Sequence, residues 1–295
     1  MGTISENKRL WTEYDWRQQG DEWSAEWGTT EILWWGTIRP RIHAFVPTGT
    51  ILEIAPGVGR CTQYLKDLCQ RLTVVDLTDC CIEACRERFS TDSHITYHVN
   101  DGKSLQMIPD YSVDFVFSFD SLVHAEAEVI EAYLSQMALK LKPQGAGFIH
   151  HSNMGAYVNR STGKLPFYID NENNGSNWRA ASMTAELIEE YCKKAGLQCV
   201  AQEVIDFYPE FSLRWGRPGR RFQRVRQKIV DQCGRVLNDC FSVFTRKQSR
   251  WDRPNRVLIN KRFMEEVRYL SALSHLYDGS SFEAQLHNTA KEVEL

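Results

Sequence analysis

The feature that most constrains the fold is a strict alternation running from Thr50 to His151. Short apolar runs, each closed by polar or glycine residues, are separated by segments of helical spacing. The runs are TILEIA, RLTVVDL, HITYHV, VDFVFSF and GAGFIHH. Between them lie GRCTQYLKDLC, with Tyr64, Leu65 and Leu68 in helical register, then DCCIEACRERF, with Asp79 as the expected cap, and AEAEVIEAYLSQMALKLK, expected to end at Pro143 and Gly145. Strands that are apolar throughout, rather than alternating, must be covered on both faces. That predicts an α/β, doubly wound, mostly parallel sheet with ligands at the carboxyl ends of its strands. Two later runs, QCVAQEVIDF and DCFSVFTRK, read as the final strands of the same sheet.

The chain of 295 residues divides into a tryptophan-rich N-terminal helical cap (1–46), the α/β domain (47–248) and a C-terminal helical extension with a polar tail (249–295). Within the cap, Thr29 to Phe45 reads as a helix interrupted at Pro40. Nine cysteines, an odd number without a CxxC pair, argue against a disulfide framework or a zinc knuckle. They read as reduced small hydrophobes, and with a polar start at Met1–Arg9 they point to a cytoplasmic protein. No apolar run reaches membrane-spanning length, and a net charge of -3 provides no general attraction to nucleic acid. One local exception is a basic stretch, Arg214 to Lys228, which contains no acidic residue.

Chemistry-bearing residues fall at successive strand ends. Glu53 lies at the end of the first strand, and Gly57 and Gly59 follow in the turn, where glycine lets backbone approach a ligand. Asp76 closes the second strand, where a carboxylate can hold both hydroxyls of a ribose. Asp101 follows the third, placed to accept from an amino group. Taken singly, Asp76 would serve as well to cap the next helix, and Asp101 to close an Asx turn.

In this order the set resembles the class I S-adenosylmethionine-dependent methyltransferases, from Glu53 to Asn153 and more loosely to Lys247. The resemblance implies a seven-stranded sheet whose last strand is antiparallel. It also implies S-adenosyl-L-methionine as cofactor, with the turn Ala55–Gly59 beside its methionine portion and Asp76 and Leu77 at its ribose. Asp101 and Gly102 would lie by the adenine, and Phe119 would complete the site. Ala55 is a departure, since the family usually has glycine there.

Methyl transfer from a sulfonium needs alignment and exclusion of water, and a hydroxyl acceptor also needs a base near neutrality. Asp120, His124 and the pair His150–His151 converge where an acceptor would lie. Strand alternation sends the two adjacent histidines to opposite faces, so His151 or His124 is the expected base, with Asp120 orienting an imidazole or the cofactor's amino group. No metal is expected, because strand five offers too few oxygen ligands for magnesium. Tyr14, Trp16, Asn153, Trp178 and Arg179 are candidate acceptor contacts. A looser similarity to bacterial sugar and secondary-metabolite methyltransferases implies O-methylation of a hydroxyl on a small metabolite, one containing a sugar or belonging to the natural products. N-methylation of an amino sugar is the alternative. An RNA methyltransferase and a non-catalytic cofactor-binding protein stand further off. No nucleic-acid or membrane partner is expected, and a homo-oligomer stays open.

Overall fold

The structure is a computed structural model, and it describes residues 3–166, 179–207 and 236–278. Its centre is an eight-stranded sheet of order β3-β2-β1-β4-β5-β7-β6-β8. The strands are β1 (Thr48–Ile54), β2 (Cys69–Asp76), β3 (Ile95–Val99), β4 (Val113–Ser118), β5 (Leu141–Ser152), β6 (Leu197–Ile205), β7 (Asp239–Arg246) and β8 (Arg256–Asn260). β7 runs antiparallel between β5 and β6, and every other pairing is parallel. The expected doubly wound architecture is therefore present, with eight strands rather than seven. The extra strand comes from the C-terminal extension, expected to be helical, and lies parallel to β6 at the sheet edge.

The helices are α1 (Ile4–Glu13), α2 (Thr30–Ile32), α3 (Arg39–Ile42), α4 (Thr62–Leu65), α5 (Asp79–Arg88), α6 (Ala127–Lys140), α7 (Ala185–Ala195) and α8 (Phe263–Asp278). Alternate residues of the sheet feed opposite layers. Phe115, Phe117 and Phe148 pack with Trp27 and Trp34 on one side, while Val116 and Ile149 pack against α6 and α7 on the other. Both faces are covered, as the continuous apolar strands require.

Three local departures have physical causes. α2 and α3 are joined by a π-helical stretch, Leu33–Ile38, into one unbroken rod. Arg39 there donates to the carbonyl of Trp34, five residues back, just before Pro40, which has no amide to give. α5 is preceded by Thr78, not Asp79, at its N-cap, because Asp76 holds the Thr78 amide and hydroxyl. α6 stops at Lys140, before Pro143, since the residues leading into a proline avoid the helical region. Pro143 and Gly145 then fall inside β5, where the register against β4 shifts between Val113 and Phe115. Among the described residues no helix is long and apolar enough to cross a membrane.

Candidate active site

A deep pocket opens over the carboxyl ends of β1, β2 and β4, with about 1180 Å³ of empty space including its mouth. The turn after β1 forms its floor. Glu53 is 2 % exposed and accepts a 2.6 Å hydrogen bond from the Thr62 hydroxyl. Burial pushes its carboxyl up to about 8, against the smaller downward pull of Thr62 and Arg60. Ala55 has φ +55, its amide donating to Val75 and its carbonyl accepting from the Ser121 hydroxyl, both at 2.7 Å. The family's glycine position is thus occupied by an alanine held in glycine's conformation; the turn is kept, at a cost of about 1–2 kcal/mol of backbone strain.

Gly57, at φ +58, points its amide at Asp76 Oδ2 over 3.3 Å, and a Cβ there would lie 3.3 Å from the Trp16 ring. Gly59 does not line the pocket. A Cβ on it would come within 2.5 Å of Phe89, so this glycine seats the turn against the end of α5. Asp76 spends Oδ1 on the Thr78 amide (2.8 Å) and hydroxyl (2.9 Å) and leaves Oδ2 toward the pocket. Burial raises it to about 6, offset in part by the hydrogen bonds from Thr78 and Gly57. Capping and ligand-facing roles are therefore divided between its two oxygens.

After β3, Asp101 does not line the pocket. Its carboxylate is exposed and turned back onto the amides of Lys103 and Ser104, at 3.1 and 2.7 Å. An Asx turn occupies its Oδ1, and the pocket wall here is the backbone of Gly102, at φ +87 under Ile4 and Leu77.

The N-terminal cap closes the pocket. α1 contributes Ile4, Asn7 and Trp11, and Trp16 and Trp23 follow. The Asn7 amide donates to the His124 carbonyl at 3.2 Å, and the Trp16 indole donates to the Trp11 carbonyl at 3.1 Å. Tyr14 packs among Trp11, Trp16 and Trp23 without lining the cavity. Trp27 and Trp34 belong to the core instead.

Past the end of β4, Phe119, Asp120 and His124 all line the pocket. His124 is 6 % exposed, with its ring 5.2 Å from that of Trp11. Asp120 adopts φ +58 and pairs with Arg60 at 2.9 Å, while Arg179 stands 3.9 Å from its other oxygen. His151 does not reach this place. It is fully buried between the layers, bonded to the Ser152 carbonyl (2.9 Å) and the Ser242 hydroxyl (2.8 Å), and burial lowers it to about 4. His150 and His151 turn to different partners on the two sides of β5, but the strand is covered on both faces, so neither histidine is thrown into open space. Asn153 is likewise structural, bridging the Leu237 carbonyl and the Ala185 amide. Arg179 lines the pocket, whereas Trp178 and the basic stretch lie outside the described residues. Among the described residues no three His, Cys, Asp or Glu side chains gather as a metal site.

The sequence reading missed Arg60 and Asn7. Arg60 had a signal: it enters a helix N-terminus, where the dipole opposes a cation, so its charge had to be directed to a carboxylate. Asn7 had none.

The donor set fits a sulfonium nucleoside. Two inward carboxylates stand at adjacent strand tips, and Gly57 and Gly102 leave cradles that a Cβ would fill. Comparison with known proteins agrees. Residues 51–145 match the model of a family described as a methyltransferase domain. Residues 51–145 carry a methyltransferase domain, and the sheet around them has the class I methyltransferase fold. A stretch of 120 residues, 39% of this chain, is 32% identical to phosphoethanolamine N-methyltransferase 1 of Triticum aestivum, of whose length the match spans only 24%. The methyltransferase fold recurs in geranyl diphosphate C-methyltransferase from Streptomyces coelicolor A3(2) (TM-score 0.55, 12% identity, 82% of this chain and 97% of that one). It recurs also in an S-adenosylmethionine-dependent methyltransferase from Archaeoglobus fulgidus (TM-score 0.52, 19% identity, 78% and 99%).

Proposed function

We propose that this methyltransferase methylates a hydroxyl of a small metabolite, of the sugar-containing or natural-product kind, with His124 as the base. The observation that carries the reading is the placement of one imidazole in the same pocket as Glu53, Asp76 and the glycine turn, walled by tryptophans. When bound, the cofactor supplies an electrophilic methyl group. The chain's own residues do the rest. Asp76 and the Gly57–Gly102 cradle hold the nucleoside, the α1 cap excludes water, and His124 takes the acceptor proton. Indole faces suit the apolar faces of a sugar ring, and the Asp120–Arg60–Arg179 group offers acceptors and donors to its hydroxyls.

A second reading has support of its own. The partial likeness to a phosphoethanolamine N-methyltransferase, together with Trp11, Trp16 and Trp23 lining the cavity, favours an amine acceptor held over indole faces. Matched hydroxyl and amino acceptors assayed with methyl-labelled cofactor separate the two. On the hydroxyl reading His124→Ala lowers kcat about 100-fold or more. Methylation of amines alone, with His124→Ala nearly as active, rejects it.

A further inference from the structure

His150 is fully buried and packed, tilted or edge-on, among Phe119, Phe207 and Phe241, an apolar setting in which an imidazole must have both nitrogens satisfied. Its two bonds assign its tautomer. The backbone amide of Asp120 can only donate, and it does so to Nδ1 over 3.2 Å, so Nδ1 carries no proton. The proton is then on Nε2, which faces Asp239 Oδ2 at 3.1 Å. Asp239, buried in β7, accepts Arg179 Nη2 at 2.9 Å and Nε at 3.1 and 3.2 Å. Arg179 returns to within 3.9 Å of Asp120 Oδ1, and Arg60 takes Oδ2 at 2.9 Å. The contacts close a ring: Asp120 amide, His150, Asp239, Arg179, Asp120 carboxylate.

The ring closes on the one strained residue at the acceptor end of the pocket. Asp120 sits at φ +58, a conformation an aspartate keeps only when its surroundings over-determine it. Among the described residues no hydrogen bond reaches Asp120 Oδ1, because 3.9 Å from Arg179 is too long. Asp120 is pocket-lining, so this oxygen is left as an acceptor toward a ligand.

We propose that His150 and Asp239 are positioning residues, which hold Asp120 in its left-handed conformation so that Oδ1 receives a hydrogen bond from a hydroxyl or amino group of the acceptor. The inference rests on the reading of this pocket as the acceptor site of a methyltransferase. It makes Arg60 and Arg179 the brackets of that carboxylate, and it gives the paired histidines of β5 separate tasks, His151 to packing and His150 to the site.

Two substitutions divide the ring. In His150→Asn the side-chain oxygen lies near the place of Nδ1, and the Asp120 amide keeps its acceptor. In His150→Gln the polar atoms lie near Nε2, so Asp239 keeps its donor and the Asp120 amide loses its partner. Crystals of the two variants with S-adenosylhomocysteine are expected to show Asp120 retained in the first and turned away from Arg60 in the second. With an acceptor in hand, His150→Gln lowers kcat about 100-fold, the scale of a misplacement near 1 Å, with cofactor Kd within about 3-fold, while His150→Asn stays within about 5-fold. Imidazole nitrogen NMR of the unaltered protein is expected to find His150 neutral with its proton on Nε2. Asp120 unmoved in His150→Gln, equal kcat in the two variants, or a proton on Nδ1 overturns the proposal. Failure of the unaltered protein to methylate any acceptor counts instead against the proposed function, and the crystallographic and NMR results still decide the role of His150.

Discussion

Asn7, on the first helix, donates its side-chain amide to the backbone carbonyl of His124 across 117 positions of chain. This bond lies in a buried setting, and it joins the cap directly to the segment that carries the proposed base. Asn7→Ala removes it and trims one pocket-lining side chain to its Cβ. A buried neutral hydrogen bond contributes about 1 kcal/mol, so cofactor Kd measured by calorimetry is expected to rise about 5-fold. An unchanged Kd would mean that α1 is held by its apolar contacts alone.

Asp76→Asn tests the ribose assignment. The amide oxygen can still accept from Thr78, so the start of α5 is kept, but the charge on the pocket side is lost. Charge-assisted bonds contribute about 1.5–3 kcal/mol, which predicts a loss of about 10–100-fold in cofactor affinity with little change in melting temperature. Equal affinity in the variant would remove Asp76 from the cofactor site.

Ala55→Gly should stabilise the protein. Alanine at φ +55 bears strain that glycine does not, while glycine costs more chain entropy on folding. The balance favours the variant by about 0.5–1 kcal/mol, read as a rise of about 1–4 °C in melting temperature. A fall in melting temperature would show that the methyl group packs better than the strain costs.

His151 makes stability depend on pH. Its ordinary value of 6.5 falls to about 4 in the fold, chiefly through burial. The unfolded chain therefore takes up this proton first as pH drops. Stability is fully present above pH 6.5 and is lost as pH falls towards 4, by about 3 kcal/mol from this residue. Urea titrations at several pH values should show that slope in the unaltered protein and its loss in His151→Gln. Parallel pH profiles for the two would exclude His151 as the source.

Much of the fold was legible because apolar strands covered on both faces leave a plain record: β1 to β7 all lie where their runs predicted. β8 left none. All but the last of its five residues are exposed, so no buried face imposes a pattern on RVLIN. At the site, the Glu53–Gly57–Asp76 set was readable because Glu53 and Asp76 stand at strand ends and Gly57 in the turn that follows β1. Which neighbour of a residue pair acts was not. His150 and His151 differ in their partners, Asp239 and Ser242, which the chain delivers about 90 residues later. Asp101 stands outside the pocket lining for a related reason, since a local turn engages one of its carboxylate oxygens.

The C-terminal strand and helix brace the opposite end of the chain. Asp206 caps the first amide of α8 at 2.8 Å, Phe263 stacks on Phe207 and meets Trp27 edge-on, and Leu270 presses so near Gly36 that a Cβ would fall 2.7 Å from it. Asn260 reaches Glu203, which is itself clasped by Arg41 of α3. A shortened protein stopping after β7 would retain all the strand-tip carboxylates and still lose the footing of the indole roof. Ligand capture would then fail through a deletion that touches no ligand contact, and the span 51–145 recognised by kinship is smaller than the unit that must stay whole.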